Sequence, residues 1–380
     1  FKGIPYAAAA TGENRWRPPL DPPKWSSTRP CIKFGPACPQ PNHFFSDPLV
    51  GEHPALMSED CLYLNVWAPP TQNRKLPVMV WIHGGGFRAG WGHQRMFNGT
   101  SLARKGAVIV TINYRLGVFG FFSHPILSSE SDKGVSGNYG LLDQIKALQW
   151  VQTNIESFGG DPGCVTIFGQ SAGAFSINLL RVSPLAKGLF HRAIAQSPPG
   201  GVELGPSLSN AEKLGERFAS TLVGNNKDVL KNLRALSTTD LLAKVFASDS
   251  LVDRMSSGRI NYDFGPITDG WLLKTKRIVA DVPLIIGTTA EEGAYWASLD
   301  EIKLLLQEVS GYQRFIEWQC PDFSEQVLKL YPAQESAQIK GAFAEYFGDR
   351  TIVTSARSVA TEMALQKSKV FFYCFARQIP

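Results

Sequence analysis

Six short apolar runs, separated by stretches of helical periodicity, constrain this chain more than any other feature. LPVMVWI (76–82), AVIVTI (107–112), CVTIF (164–168), AIAQS (193–197), VPLIIGT (282–288) and KVFFYCFAR (369–377) are strand-sized and rich in β-branched or aromatic residues. They lack polar alternation and are bounded by glycine or polar residues, as strands covered on both faces require. Between them, Leu141, Ile145, Leu148, Val151 and Ile155 recur at three- and four-residue intervals until Gly159 and Gly160 stop the stripe. Ala211, Leu214, Phe218 and Leu222 make a second such stripe. Strands alternating with helices predict an α/β fold with a mostly parallel central sheet, helices on both faces, and a ligand site at the strand C-terminal ends. The stretches 205–280 and 295–365 are helix-rich and longer than one crossover needs, so they read as insertions over the edge of the sheet and its strand C-terminal ends.

Composition narrows the partners. With 380 residues, 44% of them hydrophobic, the chain can bury a large core, and its net charge of +5 comes with no Lys/Arg block that would track phosphates. Nucleic acid is therefore excluded as a partner, and no apolar run approaches the ~20 residues of a membrane-spanning helix. Six cysteines without a CxxC pair predict neither a disulfide scaffold nor a metal site, and no cofactor is implied.

The run CVTIF leads into Gly169-Gln170-Ser171-Ala172-Gly173 and then AFSINLL. A G-x-S-x-G turn between a strand and a helix is the context of a nucleophile elbow, with small residues allowing a strained turn and helix N–H groups aimed at developing negative charge. The strand LPVMVWI runs in the same way into His83-Gly84-Gly85-Gly86-Phe87. Consecutive glycines leave backbone N–H groups unobstructed, so Gly85 and Gly86 with Ala172 form a candidate three-donor oxyanion hole. His83 reads as a structural hydrogen-bonding residue of that loop rather than a base.

GIPYA, SEDCLYLNVW (58–67), VWIHGGGF, INYRLGVFGF (112–121), GNYGLLDQIKALQWV, FGGDP and VTIFGQSAG together resemble the type-B carboxylesterase/cholinesterase family of the α/β-hydrolase fold, most closely its bacterial branch. The resemblance runs almost from end to end and implies one α/β-hydrolase domain over 1–380, a serine esterase acting on a small-molecule carboxylic ester. It places the acid of the triad at Glu292, in TTAEEGAYW, with Glu291 as the neighbouring alternative. It also pairs Cys38 with Cys61 as a disulfide, with Cys31 unmatched; a bridge favours a secreted or periplasmic protein, two thiols a cytoplasmic one. Cys164, Cys320 and Cys374 read as small buried hydrophobes.

The fold's chain order is Ser, acid, His, so the base should follow the last strand. The histidines are His43, His53, His83, His93, His124 and His191, all before Glu292. The chain thus reads as a fragment missing both ends, itself nearly inactive, whose parent hydrolyses esters through an acyl-enzyme on Ser171. An inactive binding or adhesion protein on the same fold is the alternative. His191, in LFHRAIAQS, reads as an ordinary surface or packing residue. Two departures from the cholinesterase branch, Gly51 where a tryptophan would hold a quaternary ammonium and Gln170 where Glu precedes the serine, point to a neutral aliphatic or aryl ester. Phe87, Trp91 and Trp296 are candidates for the pocket wall, with core packing the safer reading of each.

Overall fold

The protein is described from a computed structural model covering residues 1–41, 52–70, 75–200, 205–224, 228–246, 264–274 and 282–377. His43, Gly51 and Pro380 lie outside these, as do parts of 205–280. Eight strands form one sheet: β1 Ile4–Pro5, β2 Tyr63–Trp67, β3 Leu76–Ile82, β4 Val108–Ile112, β5 Gly160–Gln170, β6 Arg192–Gln196, β7 Leu284–Thr289 and β8 Val370–Phe375, in the spatial order β1-β2-β4-β3-β5-β6-β7-β8. β2 runs antiparallel to its neighbours β1 and β4 and all other pairs are parallel, which makes the sheet mixed but mostly parallel, and helices cover both faces.

All six anticipated strands form. β5 extends beyond CVTIF at both ends because Gly160 pairs with Leu76 before a register shift restores regular pairing at Val78 and Val165. Those at the centre are closed to water, as an all-apolar run demands: Val78, Val80, Ile82, Val108, Val110, Val165 and Ile167 are all fully buried. β8 departs from that expectation. It bonds only β7 among the described strands, and Phe371, Phe372 and Phe375 are 63%, 44% and 56% exposed. β1 and β2 were not among the anticipated strands; β2 lies within SEDCLYLNVW.

The stripe Leu141 to Val151 occupies the helix Tyr139–Asn154, Ile155 lies in the short 3-10 turn that continues it, and all five of its apolar residues are buried. The chain leaves this turn through Gly159 at φ 81°, a backbone state that a side chain would strain. Arg115, just after β4, clamps this helix to the sheet: its Nε and Nη2 each lie 2.7 Å from a carboxylate oxygen of Asp143, and both residues are buried. Two parallel charge-assisted bonds satisfy groups that would be costly to bury unpaired.

Helices fill 295–365. Ser336–Gly348 and Thr354–Leu365 follow each other directly through a π-helical turn at Asp349–Val353. The first of these packs in a cluster with Ile302, Tyr312, Phe315 and Ile316, apart from the main core, whereas Ala356, Val359 and Met363 of the second belong to the core over the sheet. The helical path thus spans both hydrophobic clusters, and the wide turn re-aims its buried face between them.

Candidate active site

β3, β5, β6 and β7 all present their C-terminal ends along one rim. Strand order reverses at β3, which lies between β4 and β5, so the connections leaving β3 and β5 open a crevice at a topological switch point. Ser171 leaves β5 with φ 55° and ψ −124°, far from the regions a non-glycine residue prefers, and its side chain makes no bond to the helix Ala172–Val182 that starts there. Two backbone bonds hold the turn: Ser171 N–H donates to the Gln196 carbonyl at 3.0 Å, and the Ser171 carbonyl accepts from Phe175 N–H at 2.9 Å. A Cβ on Gly173 would sit 2.1 Å from the Ile82 carbonyl oxygen, and one on Gly169 would sit 2.6 Å from the same atom. Only glycine lets the turn press against the end of β3, and that contact sustains the strained serine.

The glycine loop folds onto this turn. A Cβ on Gly84 would lie 3.1 Å from Ser171 Cβ, so loop and serine are in direct apposition. Gly85, Gly86 and Phe87 follow at φ 105°, 64° and 60°, a run of left-handed residues that keeps the loop tight. The N–H groups of Gly85 and Gly86 donate to no group among the described residues, and Ala172 is the first residue of the helix, where N–H groups have no intrahelical acceptor. Beneath the loop, His83 is buried, its ring stacked 4.4 Å from that of Tyr114. Its Nδ1 lies 2.8 Å from the Gly84 carbonyl, while Tyr114 Oη donates to the His83 carbonyl at 2.8 Å. Burial drives the His83 pKa down to about 4, so the ring is neutral and Nδ1–H is the donor. This is the structural role expected of it.

Glu292 lies beyond β7. Its Oε1 accepts two bonds of 2.6 Å, from Ser197 Oγ and from Thr289 N–H, and leaves Oε2 for another donor. Glu291 is exposed. A Cβ on the next residue, Gly293, would lie 1.9 Å from the Ala344 carbonyl oxygen, so the acid turn is pressed against the helix Ser336–Gly348. Ser197 and Gln196 are consecutive, which ties serine and acid to adjacent residues at the end of β6. The sequence reading missed Ser197 and Thr289; the available signal was that AIAQS ends in a serine on the strand next to the elbow.

Among the described residues, no histidine is bonded to Ser171 or Glu292. His191 Nδ1 accepts from Val165 N–H at 3.1 Å, at the opposite end of the sheet. His124 caps a short helix by accepting from Ile126 N–H at 3.2 Å, His93 stacks on Phe34, and His53 is exposed. Phe87 packs against Phe121 and Phe175, Trp91 clusters with Ala37, and Trp296 meets Phe347. Cys38 and Cys61 are buried neighbours, with Cys38 the main reason, ahead of burial, that the Cys61 pKa is raised. Cys164 and Cys320 are only half-buried and Cys374 is exposed on β8, so none is the buried hydrophobe expected. No helix among the described residues is long and apolar enough to cross a membrane.

A parallel sheet flanked by helices, with a strained serine between a strand and a helix and a glycine loop against it, defines a serine hydrolase of the α/β-hydrolase fold. Residues 1–379 match the carboxylesterase family, and the chain belongs to it. It is 37% identical over 383 positions to the fumonisin B1 esterase of Sphingopyxis macrogoltabida, covering 99% of this chain and 67% of that protein. It is 38% identical over 347 positions to the para-nitrobenzyl esterase of Bacillus subtilis, covering 89% and 68% respectively. Liver carboxylesterase 1 of Oryctolagus cuniculus is 45% identical over 230 positions, 58% of this chain and 39% of the relative. The chain is thus a serine-hydrolase-type carboxylic ester hydrolase with a small-molecule ester substrate, spanning about two thirds of the two bacterial relatives.

Proposed function

We propose that Ser171 is the nucleophile, that the N–H groups of Gly85, Gly86 and Ala172 hold the oxyanion, and that Glu292 orients the base. The base is an imidazole from outside residues 1–380 that donates one N–H to Glu292 and takes the Ser171 proton through its other nitrogen. As Ser171 Oγ attacks the ester carbonyl, the carbonyl oxygen gains negative charge against the three N–H groups. Collapse of the tetrahedral intermediate expels the alcohol, which receives the proton, and water repeats the sequence on the acyl-enzyme to release the acid. No organic cofactor or metal enters this scheme. Residues 1–380 form one α/β-hydrolase domain with helical insertions at about 205–280 and 295–365. A neutral aliphatic or aryl ester suits the site, since Gln170 puts no charge beside the serine. The adjacent thiols of Cys38 and Cys61 close into a bridge under oxidising conditions.

The observation that carries this reading is Ser171 held at φ 55° with the glycine loop packed against it. A fluorophosphonate applied to the natural gene product, read through past Pro380, tests it. Rapid labelling of Ser171 and loss of ester turnover by at least about a thousandfold in Ser171→Ala are expected. Failure of Ser171 to label would instead favour an inactive binding or adhesion protein.

A further inference from the structure

The glycine loop closes on itself within a few residues. The Gly85 carbonyl accepts from both Arg88 N–H and Ala89 N–H at 3.0 Å, and a Cβ on Gly85 would lie 2.1 Å from the Ala89 carbonyl oxygen. Gly90 follows at φ 106°, where a Cβ would lie 2.4 Å from His83 Nδ1 and 2.7 Å from the Gly84 carbonyl oxygen. Gly90 is therefore the foot of the loop, pressed onto the two residues from which the loop springs.

A buried side chain from fifty residues upstream grips that foot. Gln40 Oε1 accepts from Gly90 N–H at 2.7 Å, and Gln40 Nε2 donates to the carbonyls of Gly90 at 3.1 Å and Cys38 at 2.9 Å. The amide oxygen and both amide hydrogens are thus engaged, and Gln40 is 1% exposed. Its own segment is anchored in turn. Ala37 N–H donates to the Leu56 carbonyl, Ser58 N–H donates to the Ala37 carbonyl, and Cys38 Sγ accepts from Leu116 N–H. We propose that Gln40 is a positioning residue for the oxyanion hole: by holding both backbone groups of Gly90, it fixes the foot of the loop against His83 and so sets where the Gly85 and Gly86 N–H groups point. The proposal rests on the reading of those two N–H groups as oxyanion donors.

The test is steady-state ester hydrolysis by the natural gene product, read beside inhibition by a trifluoromethyl ketone, whose adduct with Ser171 carries an oxyanion. Gln40→Met keeps the side-chain volume and removes both bonds to Gly90. We expect kcat to fall about tenfold with KM changed by less than about twofold, and the ketone to bind about tenfold more weakly, since a displaced donor loses part of its transition-state contact. Asn65→Leu is the matched control. Asn65 is a buried amide on β2, a strand that does not adjoin β3; it accepts from Gly3 N–H at 2.9 Å and donates to Thr111 Oγ1 at 3.1 Å. This variant should lose comparable stability in urea and keep its kcat. Wild-type kcat in Gln40→Met, a change confined to KM, or an equal fall of kcat in Asn65→Leu would overturn the proposal. If Gln40→Met does not fold, Gln40→Glu decides, because its carboxylate accepts from Gly90 N–H but cannot donate to the Gly90 carbonyl. A fall in kcat of about threefold or more then supports the brace, and an unchanged kcat refutes it. A ketone that binds the wild type no more tightly than the matching trifluoromethyl carbinol, which forms no adduct, brings down the underlying reading of Ser171 and its oxyanion donors instead.

Discussion

Ser171 and Glu292 are held by different parts of the protein. Ser171 is set within the sheet, where Gly169 and Gly173 bring its turn onto the Ile82 carbonyl and Gly84 brings the glycine loop onto the serine. The Glu292 carboxylate is held at the sheet by Ser197 and Thr289, but its turn is also set from outside, where Gly293 abuts Ala344 in a helix whose apolar residues belong to the second hydrophobic cluster. Both use the same device, a glycine that permits backbone-on-backbone contact. They differ in what can give way. Strands bonded on both sides cannot shift without breaking their ladders, whereas a helix in its own cluster can slide by a few tenths of an ångström.

Gly173→Ala tests the rigid side. Its Cβ meets a carbonyl of a central strand, so we expect a loss of about 3 kcal/mol or more in urea unfolding, and a near-wild-type midpoint would break the contrast. His83, under the oxyanion loop, adds a pH dependence to that side. The unfolded imidazole binds its proton near pH 6.5 and the folded one not until about pH 4. The stabilisation is complete above pH 6.5, falls as pH drops toward 4, and levels off below, about 3 kcal/mol in all. Because His93 is lowered to about 4 by burial as well, the contribution of His83 is read as the difference between wild type and His83→Gln over that range. A slope that does not change in the variant would remove His83 from the account.

The yielding side predicts smaller losses. Gly293→Ala should cost about 1 to 2 kcal/mol, as the helix Ser336–Gly348 retreats, while turnover falls more than stability because the acid moves with it. Equal losses for Gly173→Ala and Gly293→Ala would mean that the two clusters respond as one. Ser197→Ala removes one of the two bonds to Oε1 and should lower kcat about fivefold, with the unfolding midpoint little changed. An unaltered kcat would leave Thr289 N–H as the sufficient support of Glu292.

Much of the serine side was legible in the sequence. The strands β3 and β5 are continuous apolar runs that end in glycine motifs, and the strain at Ser171 follows from small residues at fixed spacing between a strand and a helix. These are local signals, each contained in a dozen residues. Glu292 was singled out only through family resemblance, since two acids before a glycine look like any exposed turn. Its supports, Ser197, Thr289 and Ala344, come from three separate stretches, and no local pattern joins them. β8 was legible as a strand from its apolar run.

The sequence by itself determined the alternation of strands and helices, the mostly parallel sheet and the two glycine turns, because hydrophobic periodicity and backbone permissiveness act over neighbouring residues. The tertiary structure decided which turns meet at the switch point and which of Glu291 and Glu292 faces Ser197. Those choices depend on strand order and register, which bring together residues as far apart in the chain as Ser197 and Glu292.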